Sequence, residues 1–338
     1  MKEKNVTIRD VAKHLGVSIA TVSRAISQPD RVSKKSLERV QKAVNELGYR
    51  PNLLSQNFRY KRSNTLIVLI PNIENLFFSQ LIRGIESVAQ QAGFNVLLGD
   101  TQDSPERELN YINLVETQQA DGIIQLATFN PEFSIIPSTK IPLVSAGGSA
   151  NTPYPTIRID NIHAAADIAR HLIALEHTEF AVITGLKNDQ NTHERLKGFC
   201  DTLLDHSLSL PDTRIYSGDY SLASGYENGL RIIAKPESQR PSAIFCFNDE
   251  MAMGACKAIR EAGLNIPEDI SVIGFDGLQI GEYNEPALTT IMQPGRSLGE
   301  QAARYILQWI DGDKPDYNDV IVEHQLLIRQ SCDKHKVK

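Results

Sequence analysis

Apolar residues Ile8, Val11, Ala12 and Leu15 recur at helical spacing, and Thr7 stands where a helix N-cap belongs. Gly16 then marks a stop and a turn. Ser18 can cap a second short helix that buries Val22, Ala25 and Ile26 and leaves Ile19, Ala20, Thr21, Ser23 and Arg24 outward. The pattern predicts two short helices joined at a glycine, a helix-turn-helix. A third helix is expected from Ser33 to Gly48, with Leu37, Val40, Val44 and Leu47 on one face and Lys34, Lys35, Arg39 and Lys42 on the other. Residues 51–64 lose this regularity; Asn52 can cap a helix of barely two turns, too short to stand alone in water. Such a segment orders on DNA or against a copy of itself.

From residue 65 the pattern becomes alternating. Short apolar runs at 66–70, 95–99, 122–126, 180–184, 243–247 and 271–275 read as strands, and 78–92, 105–118, 161–175, 193–206, 224–234 and 250–262 read as helices. Such alternation builds parallel sheets covered on both faces. The expected fold class is α/β: an all-α headpiece followed by two doubly wound parallel-sheet subdomains. About 270 residues exceed what one sheet usually fills. The expected domains are 1–50 for the headpiece, 51–64 for the hinge and linker, and 65–338 for the core.

Charge sharpens this division. Residues 1–62 carry 14 Lys+Arg against 5 Asp+Glu, a surplus of +9, while the remainder carries 21 against 36, or −15. A basic head on an acidic body suits a nucleic-acid binder with a second role. On the second helix, small and polar residues let it sink into the major groove, where Arg24 can form a bidentate contact with a guanine edge. The basic face of the third helix is in reach of phosphates. There is no secretory leader pattern and no apolar run of membrane length, so no membrane partner is expected. Four scattered cysteines, Cys200, Cys246, Cys256 and Cys332, read as reduced thiols in a cytoplasmic protein, neither metal nor disulfide framework.

Polar and aromatic residues stand just past the strand ends, where ligands bind in such folds. They are Asn75-Leu76-Phe77-Phe78, Asp189-Gln190-Asn191 with Arg195, Asp219-Tyr220, Asn248-Asp249 and Asp276. Rings stack on rings and carboxylates fork hydroxyls or ring N–H groups, which suits a polyhydroxylated or heterocyclic ligand. The plainer alternatives are that Phe77 and Phe78 are core residues and that Asp276 caps a helix. Gly147-Gly148 matches neither nucleotide-binding glycine pattern, and no catalytic motif is present, so neither an enzyme nor a cofactor is expected.

Asp10-Val11-Ala12, Gly16-Val17-Ser18, Ala20-Thr21-Val22-Ser23-Arg24 and Gly48-Tyr49-Arg50-Pro51-Asn52 together resemble the lactose/galactose repressor (LacI/GalR) family. So do Arg195-Leu196-Lys197-Gly198-Phe199, Phe247-Asn248-Asp249-Glu250-Met251-Ala252, the stretch 266–276 and Pro286-Ala287-Leu288-Thr289-Thr290-Ile291, so the resemblance covers nearly the whole chain. It implies that Ile19, Ala20 and Arg24 read bases, and that Thr7, Ser18, Thr21, Ser23, Ser33 and Tyr49 hold or position phosphates. Asn52 and Ser55 of the hinge join the DNA-binding set. Phe58 stands where the family inserts an apolar wedge, usually leucine, into the minor groove; packing of Phe58 between hinge and body is the alternative. It further implies effector contacts at Phe77, Phe78, Asp189, Asn191, Arg195, Tyr220, Asp249 and Asp276. The nearest likeness is to nucleoside-responsive members. Two departures stand out: Leu76 replaces the family's usual proline, and Asp189 replaces the arginine of purine-responsive members, which favours a nucleoside such as cytidine over a free purine base.

The expected protein is thus a repressor of double-stranded operator DNA, a homodimer controlled by a small nucleoside effector, with another DNA-bound regulator as a further partner. The alternatives are a sugar effector on the same architecture, or a solute-binding protein for transport, which the basic head argues against.

Overall fold

The computed structural model describes residues 6–27, 29–49, 62–126, 141–149, 152–316 and 318–335. The chain divides into two compact units, residues 1–63 and 64–338.

The first unit is helical: α1 (Ile8–Leu15), α2 (Ile19–Ser27) and α3 (Lys34–Leu47). Local chemistry sets each boundary. The Asp10 carboxylate accepts from the Thr7 backbone N–H at 2.8 Å and from its hydroxyl at 2.7 Å. Gly16 ends α1 at φ +66°, a conformation that suits glycine. Ser18 Oγ accepts from the Thr21 N–H at 3.1 Å and Ser33 Oγ from the Ser36 N–H at 3.3 Å, capping α2 and α3. Val11, Ala12, Val22, Ala25, Val40 and Ala43 form a buried core of their own.

The second unit holds two six-stranded sheets. In the first the order is β11 (Asp319–Ile321), β5 (Thr156–Arg158), β4 (Leu143–Ala146), β3 (Gly122–Gln125), β1 (Thr65–Ile70), β2 (Asn95–Asp100), with every pairing parallel. In the second it is β12 (Gln325–Leu327), β10 (Thr289–Met292), β9 (Ser271–Asp276), β8 (Ala243–Cys246), β6 (Phe180–Thr184), β7 (Ile215–Ser217). There only β12 runs antiparallel to its neighbour. The parallel strands β1, β6, β8 and β9 are buried nearly throughout, which explains why they read as unbroken apolar runs.

Helices α4 (Phe77–Gln91), α5 (Pro105–Glu116) and α10 (Gly295–Ile310) belong to the first half, and α6 (Asn161–Ala174), α7 (Gln190–Asp205), α8 (Leu222–Ile233) and α9 (Asp249–Glu261) to the second. The contact of α4 with α10 is close: a Cβ on Gly84 would lie 2.2 Å from the Arg296 carbonyl oxygen, and one on Gly299 would lie 2.1 Å from that of Leu81.

The chain passes between the halves after β5, after β10 and between β11 and β12. Arg158 grips Asp319 with two hydrogen bonds of 2.9 and 2.8 Å, tying β5 to β11 beside the first and third passages. His324, in the third passage, reaches Asp167 of α6 at 2.8 Å.

Candidate functional site

On α2 the stripe of Val22 and Ala25 is buried, and the opposite stripe is left open. Ile19, 44 % exposed, lies there beside exposed Ser18, Ala20 and Arg24 and the partly exposed Thr21 and Ser23. An exposed isoleucine costs little in water when alone but is suited to a thymine methyl in a groove. Thr7 and Ser33 are exposed at the starts of α1 and α3. Tyr49 packs against the headpiece core, and burial raises its hydroxyl pKa. Lys34, Lys35, Arg39 and Lys42 are exposed on α3, Lys42 at 3.8 Å from Glu46. Asn52, Ser55 and Phe58 lie outside the described residues.

In the second unit a cleft of about 930 Å³ opens where the carboxyl ends of both sheets face one another. Seven of the eight expected effector residues line it: Phe77, Phe78, Asp189, Asn191, Arg195, Tyr220 and Asp276. Phe77 is buried at the start of α4 and also packs into the core, so the core reading and the cleft reading both apply; Phe78 is half-buried, its ring 5.9 Å away. Tyr220, at φ +70°, donates its hydroxyl to Asp189 Oδ2 at 2.5 Å and lies 2.8 Å from Thr192 Oγ1. Burial first, then the Asp189 charge, pushes that phenol well above its ordinary pKa.

Arg195 is buried at one wall. Its guanidinium lies 3.8 Å over the Phe275 ring, and its Nε donates to Asn161 Oδ1 at 2.9 Å and its Nη1 to the Phe247 carbonyl. Asp276 ends β9 with φ +121°, a rare backbone state for a residue with a side chain. It does not cap a helix. Gln293 Nε2 donates to its Oδ1 at 2.7 Å. Burial drives its carboxyl pKa well up, against the opposing pull of the Arg195 charge.

Asp249 departs from expectation. It is fully buried away from the cleft, where its Oδ1 accepts from Thr290 Oγ1 at 2.6 Å and its Oδ2 from the Leu278 N–H at 2.7 Å. Burial lifts its pKa to about 7. The reason is backbone geometry. Asn248, at φ −150° and ψ 170°, is extended and caps α9, which Asp249 begins, so the chain passes from strand-like to helical geometry between them. Asn248 and Glu250 face the cleft and Asp249 faces inward. The lining also includes Gln293, Gln125 and Glu108, none of which carries a local sequence signal for a site.

Among the described residues, two hydrogen bonds cross the cleft. The Leu76 N–H donates to Glu250 Oε2 at 3.3 Å, and Asn191 Nδ2 donates to the Gly147 carbonyl at 3.2 Å. Among the described lining residues seven are carboxylates and two, Lys187 and Arg195, are cationic. That balance disfavours a phosphorylated ligand.

Residues 63–330 match the periplasmic binding proteins and sugar binding domain of the LacI family, and residues 7–52 match the bacterial regulatory proteins of the lacI family. The chain belongs to the LacI family. Among its LacI-family relatives, the HTH-type transcriptional repressor CytR of Escherichia coli K12 is 35 % identical over 333 residues, 98 % of this chain and 97 % of that protein. Catabolite control protein A of Priestia megaterium is 33 % identical over 331 residues, 97 % of this chain and 99 % of its own. A Lac repressor dimer bound to operator and an anti-inducer superposes with a TM-score of 0.88 at 30 % identity, covering 97 % of this chain and 99 % of the other. The expected family and fold class therefore hold. A LacI-family chain of this composition is a DNA-binding transcriptional repressor with an effector-binding domain, and these relatives are regulators, not enzymes. Among the described residues no helix is long and apolar enough to cross a membrane.

Proposed function

We propose that this LacI-family repressor binds a near-palindromic operator as a homodimer, and that a nucleoside such as cytidine, bound in the cleft, releases it or breaks its cooperation with another DNA-bound regulator. The reading rests most on one observation: an aromatic wall, Phe77 and Phe78 on one half and Tyr220 on the other, shares the cleft with the buried Arg195 and Asp276. Rings take a heterocycle, and Arg195 and Asp276 take the hydroxyls of a ribose. The relation to CytR supports the same effector class.

The ligand acts through the angle between the two halves, which the two hydrogen bonds across the cleft and the three passages of the chain control. Two copies side by side convert that angle into the spacing of two recognition helices. The coupling is a free energy, so operator DNA weakens the effector by the same factor that effector weakens operator binding.

Calorimetry against cytidine, adenosine, a free purine base and several sugars tests the assignment. Micromolar binding of a nucleoside alone supports it; binding of a sugar alone replaces the nucleoside with a carbohydrate effector. Cytidine monophosphate is expected to bind at least about tenfold more weakly than cytidine, since its phosphate meets a wall dominated by carboxylates. Equal affinities are the contrary result. On the DNA side, Arg24→Ala costs about 1–3 kcal/mol on the specific site and relaxes one base position. A binding-site selection that returns the unaltered consensus removes Arg24 from the base-reading set.

A further inference from the structure

Arg195 and Asp276 are each tied, through one buried amide, to a place where the two halves join. Arg195 Nε donates to Asn161 Oδ1 at 2.9 Å. A guanidinium can only donate, so this bond fixes the Asn161 amide with its Nδ2 turned away from Arg195. That Nδ2 donates to Asn191 Oδ1 at 3.1 Å and to Glu194 Oε2 at 3.3 Å. Asn191 in turn sends its own Nδ2 to the Gly147 carbonyl of the first half at 3.2 Å. The donors all point one way, from Arg195 to a hydrogen bond that crosses the cleft, and bonds in such a chain strengthen one another. Arg195, Asn191 and Gly147 line the cavity, whereas Asn161 is 1 % exposed and stands behind its wall. Asn161 begins α6, and only Ile159 and Asp160 separate it from the end of β5, at the first passage between the halves.

Asp276 has a matching arrangement. Gln293 Nε2 donates to Asp276 Oδ1 at 2.7 Å, and the Gln293 N–H donates to the Asp276 carbonyl at 3.2 Å. Gln293 is 3 % exposed, and it and Pro294 alone lie between β10 and α10. It is therefore part of the second passage between the halves. Rotation of one half against another is absorbed by the dihedral angles of a few residues in such connections. A side chain there that also holds an effector residue turns a pull on that residue into a turn of the backbone.

We infer that Asn161 and Gln293 are positioning residues that carry the effector's signal from Arg195 and Asp276 to the joints between the halves. The inference rests on the reading of the cleft as an effector site that acts through the angle between the halves, and it holds for a nucleoside and a sugar alike. An effector that draws on the Arg195 guanidinium moves Asn161, and with it the donor that Asn191 sends across the cleft. One that draws on the Asp276 carboxyl moves Gln293 and the passage after β10. A residue that only shapes the cavity sets how much effector is needed. A residue that transmits sets how far operator affinity changes once the cleft is full.

The test is fluorescence anisotropy of a labelled operator, found by binding-site selection, with the full-length protein. It is run without effector and with cytidine, adenosine, D-ribose or D-glucose raised until each response saturates, while calorimetry reads binding of the same probes. The wild type is expected to change its operator affinity about 5- to 150-fold with the probe that binds. Gln293→Met removes the amide at similar volume, and Asn161→Asp keeps the acceptor for Arg195 while removing the donor to Asn191. Each variant is expected to bind the probe yet hold the saturated change to within about threefold. Each residue stands or falls by its own variant, and the two act at different joints, so one decides where the other fails to fold. A variant whose saturated change equals that of the wild type, whatever probe concentration it needs, overturns the role of its residue. So does one that binds no probe, since its residue then grips the effector instead. A wild type that binds a probe without altering its operator affinity overturns the inference and leaves the effector reading of the cleft standing. If the wild type binds none of the probes, both fall together.

Discussion

Asp276→Ala retains operator binding and loses its response to effector. The carboxyl sits at the end of β9, 3 % exposed, held by Gln293 and next to Arg195. Removing it leaves the Gln293 amide and the ligand's hydroxyl without a buried partner, a loss of about 3 kcal/mol, or more than about 100-fold in effector affinity. The headpiece is a separate unit with its own core, so its fold does not depend on this carboxyl. Fluorescence anisotropy of labelled operator, titrated with effector, reads both properties at once. Release of the variant at the wild-type effector concentration would show that Asp276 takes no part in the site. The φ of +121° at this residue supports a functional reason, since the backbone accepts strain where geometry is used.

Gly299→Val destabilises the core by about 3 kcal/mol. The added carbon meets the Leu81 carbonyl oxygen at 2.1 Å and its carbonyl carbon at 2.9 Å, both backbone atoms that no rotamer change moves aside. Helices α4 and α10 must separate, which opens the packing of Leu81, Ile85, Leu298 and Ala302 beneath. Urea unfolding followed by far-ultraviolet circular dichroism is expected to show a clear fall in the midpoint. An unchanged midpoint would mean that the two helices are free to slide apart.

The headpiece is legible in the sequence because its signals are local. Thr7, Gly16, Ser18, Ser33 and Gly48 stand within four residues of the groups they cap or turn. The central strands are legible because burial on both faces leaves continuous apolar runs. The short strands β4, β5 and β10 to β12 have three or four residues and too little pattern to read. Helix α10 escapes for a different reason. Its packed face carries Gly295, Gly299, Ala302 and Ala303 where leucines ordinarily mark a stripe, because α4 comes so close.

At the cleft, the rule that ligands lie past strand ends identifies the neighbourhood, and the change from extended to helical backbone at the start of α9 decides the residue. It brings Asn248 and Glu250 into the cleft and takes Asp249 out. The meeting of Glu108 with Gln125 spans 17 positions and two elements, so no local pattern announces it. The same holds for Gln293 against Asp276, also 17 positions apart.

The three passages of the chain between halves also govern how this protein is made. Its DNA-reading unit lies within the first 63 residues and is complete once that stretch has left the ribosome. The first sheet still lacks α10 and its edge strand β11 until residue 321 has been added, and the second lacks β12 until residue 327. Neither half of the cleft can therefore close its fold until these late elements have been added. A chain cut before residue 295 lacks the last elements of both sheets, and no single cut releases either half of the sensor intact.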